Sequence, residues 1–154
     1  MTTSSPSPNN ALSCLDGVAA AATDLWLLIG RVLLGWLFLY SGYTKIMNMA
    51  GAVAYLTNLK APMPEVLVYF SVTAEFGLGI LLVLGLATRY AAVLGMVFMI
   101  VATALAHRYW EYPAAAVVPQ FTNFIKNVAI FGAMFYVFVT GPGRFSVDGM
   151  MSKR

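Results

Sequence analysis

One cysteine, Cys14, and one histidine, His107, are all that 154 residues offer a metal or redox centre. An intrachain disulfide, a Cys-x-x-Cys redox pair and a cysteine-built metal site are therefore excluded. So are a bis-histidine haem and a histidine-cluster metal site. Charge is scarce too: Asp, Glu, Lys and Arg make up 10% of the chain, against about 25% in soluble globular domains. The polar surface that water demands is missing. The net charge of +3 is spread thinly, without the clustered basic face that nucleic-acid binding needs. Residues 1–24 hold no Lys or Arg, and so lack the basic start of a secretory leader. This Ser/Pro/Asn-rich and then Ala-rich stretch reads as a disordered or interfacial tail.

What is present is apolar, at 60% of residues. A bilayer crossing takes roughly 20 such residues, and four runs qualify: 25–47, 65–86, 90–107 and 121–140. Pro62 with Pro64, the Ala87-Thr88-Arg89 turn, Pro113 with Pro119, and Gly141-Pro142-Gly143 separate and close them. Lipid supplies no partners for backbone groups, so the runs should be helices. The fold class is all-α, a transmembrane antiparallel four-helix bundle over residues 25–148 with a tail at 149–154. Within residues 48–60, Met49, Val53, Leu56 and Leu59 fall at helical spacing. That pattern predicts a short amphipathic helix at the interface between the first two spans, with a plain loop as the alternative.

Four spans put both ends of the chain on one side. Arg89, Arg144, Lys153 and Arg154 lie on that side, and Lys45, Lys60 and Arg108 on the other; the balance favours cytoplasmic termini. Trp26, Tyr90, Tyr109, Trp110 and Tyr112 fall near span ends, as interfacial anchors do.

Arg31, Glu75 and Lys126 stand inside apolar runs. A charge at the bilayer centre costs about 2.5–3.5 kcal/mol on insertion scales, so such residues face a bundle interior and pair. In the first run Arg31, Phe38 and Lys45 recur every seven residues with Gly35 and Gly42 between them, a stripe suited to close helix contact. Lys45, at the outer end, can snorkel. Counting depth at 1.5 Å per residue puts Glu75 centrally, with Arg31 and Lys126 each about 7 Å away on opposite sides. Glu75 is then expected to be the hub of a three-way cluster that opens outward near Lys45, His107 and Asn127. Its net positive charge would suit an anionic or electron-rich ligand. The alternative is a network that only fixes helix register. His107 reads either as a hydrogen-bonded boundary residue or as a proton acceptor.

Several segments together resemble the DoxX family. They are Gly42-Tyr-Thr-Lys45, Pro62-Met-Pro64, Glu75-Phe-Gly77-Leu-Gly79 and Gly85-Leu-Ala-Thr88-Arg89, then His107, Lys126-Asn127, and Gly141-Pro-Gly143 followed by Ser146 and Asp148. The likeness covers about residues 25–148. It implies a four-helix protein of the bacterial cytoplasmic (inner) membrane, with Lys45, Glu75, His107, Lys126, Asn127 and Asp148 at matching positions. Relatives include the DoxD subunit of an archaeal thiosulfate:quinone oxidoreductase, and others have been linked to oxidative-stress complexes. MauE-type relatives carry cysteines in the membrane region. This chain has none there, which argues against disulfide relay chemistry.

Three functions follow as expectations. The first is a membrane subunit of a quinone-linked redox system. Glu75 and His107 would handle protons, and Arg31, Lys45, Lys126 and Asn127 would hold a quinone-like headgroup as charge develops on it. Such a chain needs a partner carrying flavin, haem or an iron–sulfur centre. The second is a non-catalytic accessory subunit of a larger membrane complex, associating through Ala91, Ala92, Gly95, Ala102 and Ala106. The third, a solute or proton carrier, has against it few spans and no span broken in its middle; a homo-oligomer would be one remedy.

Overall fold

The structure, a computed structural model, describes residues 10–152, with side chains from Cys14 onward. Among the described residues seven α-helices follow one another: α1 (Asn10–Ala21), α2 (Thr23–Met47), α3 (Met49–Asn58), α4 (Pro64–Leu84), α5 (Thr88–Ala106), α6 (Ala114–Thr140) and α7 (Val147–Met151), with a 3-10 turn at Tyr109–Glu111 before α6. The fold is all-α. The helices α2, α4, α5 and α6 are long and apolar enough to cross a membrane.

Three expectations need adjustment at the ends of elements. Of the N-terminal tail, residues 1–9 lie outside the described residues, while Asn10–Ala21 is helical and exposed from Cys14 on. The C-terminal tail does not start at 149, because α7 runs through that point with the Ser146 hydroxyl accepting from the Gly149 amide at 2.9 Å. Residues 153–154 lie outside the described residues. The last span begins at Ala114, ahead of Pro119. A proline in the second turn keeps a helical φ and forfeits only the bond to the Ala115 carbonyl, so the helix continues through it.

Most of segment 48–60 is the helix α3 (Met49–Asn58) and not a loop. The Asn48 side chain caps it by accepting from the Gly51 amide at 3.0 Å. Met49, Val53 and Leu56 are half-buried, as are Gly51, Ala52 and the C-cap residue Leu59, and α3 packs on α4.

The bundle is two tight antiparallel pairs, α2 with α4 and α5 with α6, joined by looser α4–α5 and α2–α6 contacts. The predicted stripe on α2 faces inward: Arg31, Gly35, Phe38 and Gly42 are all buried. Between the pairs lies an apolar core of Phe38, Leu78, Leu82, Ala91, Ala92, Met99, Ile130 and Met134. Glycine is required where α2 meets α4. A Cβ on Gly35 would stand 2.8 Å from the Gly79 carbonyl oxygen, and one on Gly79 would stand 2.9 Å from that of Gly35. Small residues permit this approach, and neither backbone can give way cheaply.

The segment after α6 folds back over the end of the bundle that carries the chain termini. Both Asp148 carboxylate oxygens accept backbone amides at the start of α5, from Ala87 and Thr88, each at 2.8 Å. Ala87 there adopts φ +47°, a left-handed conformation costly for a residue with a Cβ, and the carboxylate holds it in place. The Arg144 amide donates to Asp24 Oδ1 at 2.7 Å, tying the same segment to α2. Burial pushes the Asp148 carboxyl up, but the Thr88 and Ala87 amides and the nearby Arg31 guanidinium outweigh it and hold the group below the ordinary carboxylate value.

Two predictions follow from this packing. Gly79→Ala should destabilise the bundle by about 1–3 kcal/mol through overpacking. Gly77→Ala and Gly132→Ala, where a Cβ meets nothing within 4 Å, should be neutral or slightly stabilising; thermal unfolding in detergent ranks the three. Asp148→Asn should cost about 1–3 kcal/mol, because an amide nitrogen cannot accept and one of the two helix amides loses a charge-assisted bond. Because the folded carboxyl titrates low, the wild-type contribution is complete above the ordinary Asp value and is lost as pH falls through the lower folded value. Melting temperature against pH should therefore decline in acid more steeply for wild type than for Asp148→Asn.

Candidate functional site

The acid at mid-span, Glu75, is 5% exposed and projects from the buried face of α4 shared with Val68, Leu78, Gly79 and Leu82. Its partner is Lys45. The ammonium Nζ lies 2.6 Å from Oε1 and 2.7 Å from Oε2. The Ser41 hydroxyl donates to Oε1 at 3.0 Å and accepts from Lys45 at 3.0 Å. Ser41 and Lys45 are one turn apart on α2, so a single helix face supplies both. Below them Gly42 lets α4 approach, since a Cβ there would meet the Phe76 ring at 2.8 Å and the Glu75 Cβ at 3.4 Å. The two partners differ in access: the Lys45 side chain is 30% exposed and that of Glu75 is 6% exposed. The pair therefore opens on the lysine side.

Arg31 does not join this pair, contrary to expectation. It is 2% exposed, and it donates through Nη1 to the Leu82 carbonyl at 2.9 Å and through Nη2 to the Phe145 carbonyl at 2.6 Å. The reason is helix register. Ser41 stands level with Glu75, which puts Arg31 ten residues, or about 15 Å, further along the axis. At that level α4 ends in a turn with Gly85 at φ +64° and the Leu86 amide bonded to the Leu81 carbonyl, a Schellman-type stop. A Cβ on Gly85 would run into the Arg31 guanidinium. A cation beside the carbonyl end of a helix is favourable, and Asp148 supplies a nearby opposite charge. Arg31 is a clamp between the last turn of α4 and the C-terminal segment. Arg89 acts alike on α6, donating Nε to the Phe138 carbonyl at 3.0 Å.

Lys126 also stands apart from Glu75. It is exposed on α6 and donates to Asn123 Oδ1 at 3.1 Å. Since α6 packs chiefly on α5, the expected bridge to α4 is not formed; Lys45 takes that place. The three-way cluster thus resolves into one ion pair, one buried clamp and one exposed lysine.

The remaining candidates gather near the same end of the bundle. His107, which caps α5, has Nδ1 at 2.9 Å from Gln120 Oε1. Lys45 and Lys126 are both close enough to act electrostatically on its ring. Asn127 is 7% exposed and donates to the Thr103 hydroxyl at 3.0 Å, at the edge of an apolar groove of about 310 Å³ that Trp110, Phe124 and Phe131 help to line. The Tyr55 and Tyr112 hydroxyls lie 3.0 Å apart and reach the Ala106 carbonyl at 2.7 and 3.1 Å, so α3 is fastened across the end of α5. Burial and the hydrogen bond shared with Tyr55 push the Tyr112 phenol above its usual range, keeping it protonated. Tyr109 packs edge-on against Phe121, Phe124 and Trp110 at 4.9, 5.4 and 5.1 Å, fixing the turn before α6.

Sequence reasoning missed Ser41, Thr103 and the tyrosine pair. Ser41 was detectable, being one turn before Lys45 on the inward stripe. The tyrosines were not, since their meeting depends on how α3 docks. The small residues Ala91, Ala92 and Gly95, expected to receive an outside helix, are buried within the chain. Gly95 faces Met134 of α6, whose Sδ a Cβ would approach to 3.2 Å. That face is already occupied.

Comparisons with known proteins agree with this architecture. Inner membrane protein YphA of Escherichia coli K12 is 39% identical over 128 residues, covering 83% of this chain and 91% of that protein. Inner membrane protein YqjF of the same organism is 28% identical over 131 residues, covering 85% of this chain and 95% of its own. No solved structure matches. With four membrane-length helices and inner-membrane relatives along nearly the whole chain, this is a multi-pass inner-membrane protein. Residues 26–108, more than half of the sequence, match DoxX, and the chain belongs to the DoxX family.

Proposed function

We propose that this protein is the membrane subunit of a quinone-linked redox system, in which the Lys45–Glu75 pair receives a quinone-like headgroup and handles its proton. The carrying observation is an ion pair between Glu75, midway along α4, and Lys45, in the last turn of α2, whose lysine remains 30% exposed while its carboxylate is sealed. The exposed ammonium stays within reach of a ligand oxygen while the carboxylate beside it is covered. Replacing a buried pair by apolar side chains is often neutral or stabilising.

A quinone supplies two ring oxygens that alternate between carbonyl and hydroxyl. Those oxygens fit a donor cation beside a proton acceptor. Lys45 binds and orients the oxygen through its ammonium, Ser41 keeps the lysine aimed, and Glu75 holds a proton at Oε1 or Oε2. His107 and Lys126 add a second polar group and a second positive charge nearby. The chain carries no thiol or metal cluster in its spans to pass electrons on, so a partner with flavin, haem or an iron–sulfur centre completes the system. The α3 helix lies at the far membrane interface with its half-buried face on α4. The termini face the cytoplasm, where Arg89 and Arg144 meet the positive-inside preference.

The test separates binding from folding. Lys45→Met and Glu75→Gln should each cost about 1–3 kcal/mol of stability, below the 3–5 kcal/mol of a fully buried pair because the lysine is partly exposed. The double variant should recover much of that loss. Titrating decylubiquinone into the protein in nanodiscs should give saturable binding to wild type that all three variants weaken, by about tenfold or 1.4 kcal/mol. Restored stability together with restored binding in the double variant would reduce the pair to a structural element.

A further inference from the structure

The C-terminal segment and the last turn of α4 enclose a groove of about 480 Å³ at the end of the bundle that carries the chain termini. One wall is apolar, from Val83, Leu84 and Met150, and the rim carries Arg144 beside Phe145. Leu84, Phe145 and Met150 are 48%, 54% and 63% exposed. Apolar area of this kind at the ends of membrane-spanning helices belongs in the lipid interface and not in water. Arg144 is held only loosely: its side chain is 67% exposed and Nε sits 3.9 Å from Asp24 Oδ2. The two acids nearby are already engaged. Asp148 takes the amides of Ala87 and Thr88, and Asp24 takes the amide of Arg144 itself.

We infer that this groove is a binding site for one anionic phospholipid, with the phosphate and headgroup at Arg144 and the upper acyl chain along Val83, Leu84 and Met150. The charge balance selects the lipid class. Arg144 is the one charged side chain in the groove lining, so an uncompensated phosphate meets attraction there, while a headgroup ammonium finds no acid in the lining to receive it. Free phosphate satisfies the arginine but leaves the apolar wall uncovered. Basic residues near a membrane surface favour anionic lipid by about 1 kcal/mol each, and the groove adds shape to that charge. This site is independent of the Lys45–Glu75 pair.

Native mass spectrometry of the full chain, released from vesicles of equal palmitoyl-oleoyl phosphatidylglycerol and phosphatidylcholine, reads the preference directly. Wild type should retain a single phosphatidylglycerol in about fivefold excess over phosphatidylcholine. Arg144→Gln should bring the ratio to parity, and so should Met150→Glu, which puts an acid on the exposed wall without removing the arginine. Lys60→Gln, on the opposite end, should leave the excess in place. Parity in wild type, or an excess that survives both groove variants, overturns the site. Equal displacement of the lipid by millimolar inorganic phosphate also overturns it, since the pocket would then be an anion site without an acyl component.

Discussion

The contact of Gly35 with Gly79 sets the register of α2 on α4, and the fate of every buried charge follows from that register. With the two backbones nearly touching, α2 cannot slide, because the ridge on either side would have to ride over a carbonyl group. Ser41 is thereby level with Glu75, Lys45 is one turn beyond it, and Arg31 is level with the end of α4. A shift of a single turn would bring neither cation to its present acceptors. Two glycines, neither of them polar, thus decide which charges meet. In a medium where hydrophobic burial between helices contributes little, close backbone contact is a principal source of such specificity.

That register sorts the polar groups into two ends with different characters. At the end bearing the chain termini, the groups saturate backbone: Arg31 and Arg89 on helix carbonyls, Asp148 on helix amides, and Asp24 on the amide of Arg144. These main-chain contacts suit a structural closure, although Arg31 Nε and Thr88 Oγ1 are buried there without a partner. Toward the other end, side chains meet side chains: Lys45 with Glu75 and Ser41, His107 with Gln120, Lys126 with Asn123, Asn127 with Thr103. One small bundle is thus fastened at one end chiefly by side chains on main-chain groups and at the other by side chains on one another.

The architecture was largely legible in the sequence because it depends on one-dimensional quantities. Apolar run length gave the four spans, and the prolines and glycines their breaks. The 48–60 helix showed in the spacing of four apolar residues, and the seven-residue stripe identified the buried face of α2. The site was legible only in part. Glu75 was identifiable as a mid-span acid and Lys45 as a residue on the right stripe, but pairing them needs the interhelical register, which depends on contacts at 3 Å between glycine backbones. Depth alone put Arg31 near Glu75 and missed that the open carbonyl end of α4 competes for the guanidinium. Lys126 was misassigned for a related reason: depth along a helix does not say which neighbour it faces, and α6 lies on α5. Asp148 stood among the residues shared with the family, yet its capping role required the chain to fold back on itself after Gly143.

The choice of cation at each end fits this division. Arginine stays charged under all conditions met in a protein and offers a rigid fork of donors, which is what two carbonyls from different segments require of Arg31. A lysine could not span both with fixed geometry, and any loss of its proton would release the clamp. Lysine carries three donors on a flexible stem. Lys45 uses them to meet both Glu75 carboxylate oxygens, at 2.6 and 2.7 Å, and the Ser41 hydroxyl at 3.0 Å. A planar fork of fixed donors could not converge on three oxygens that crowd around one point, so the compact cation suits the side-chain cluster and the forked one suits the two carbonyls.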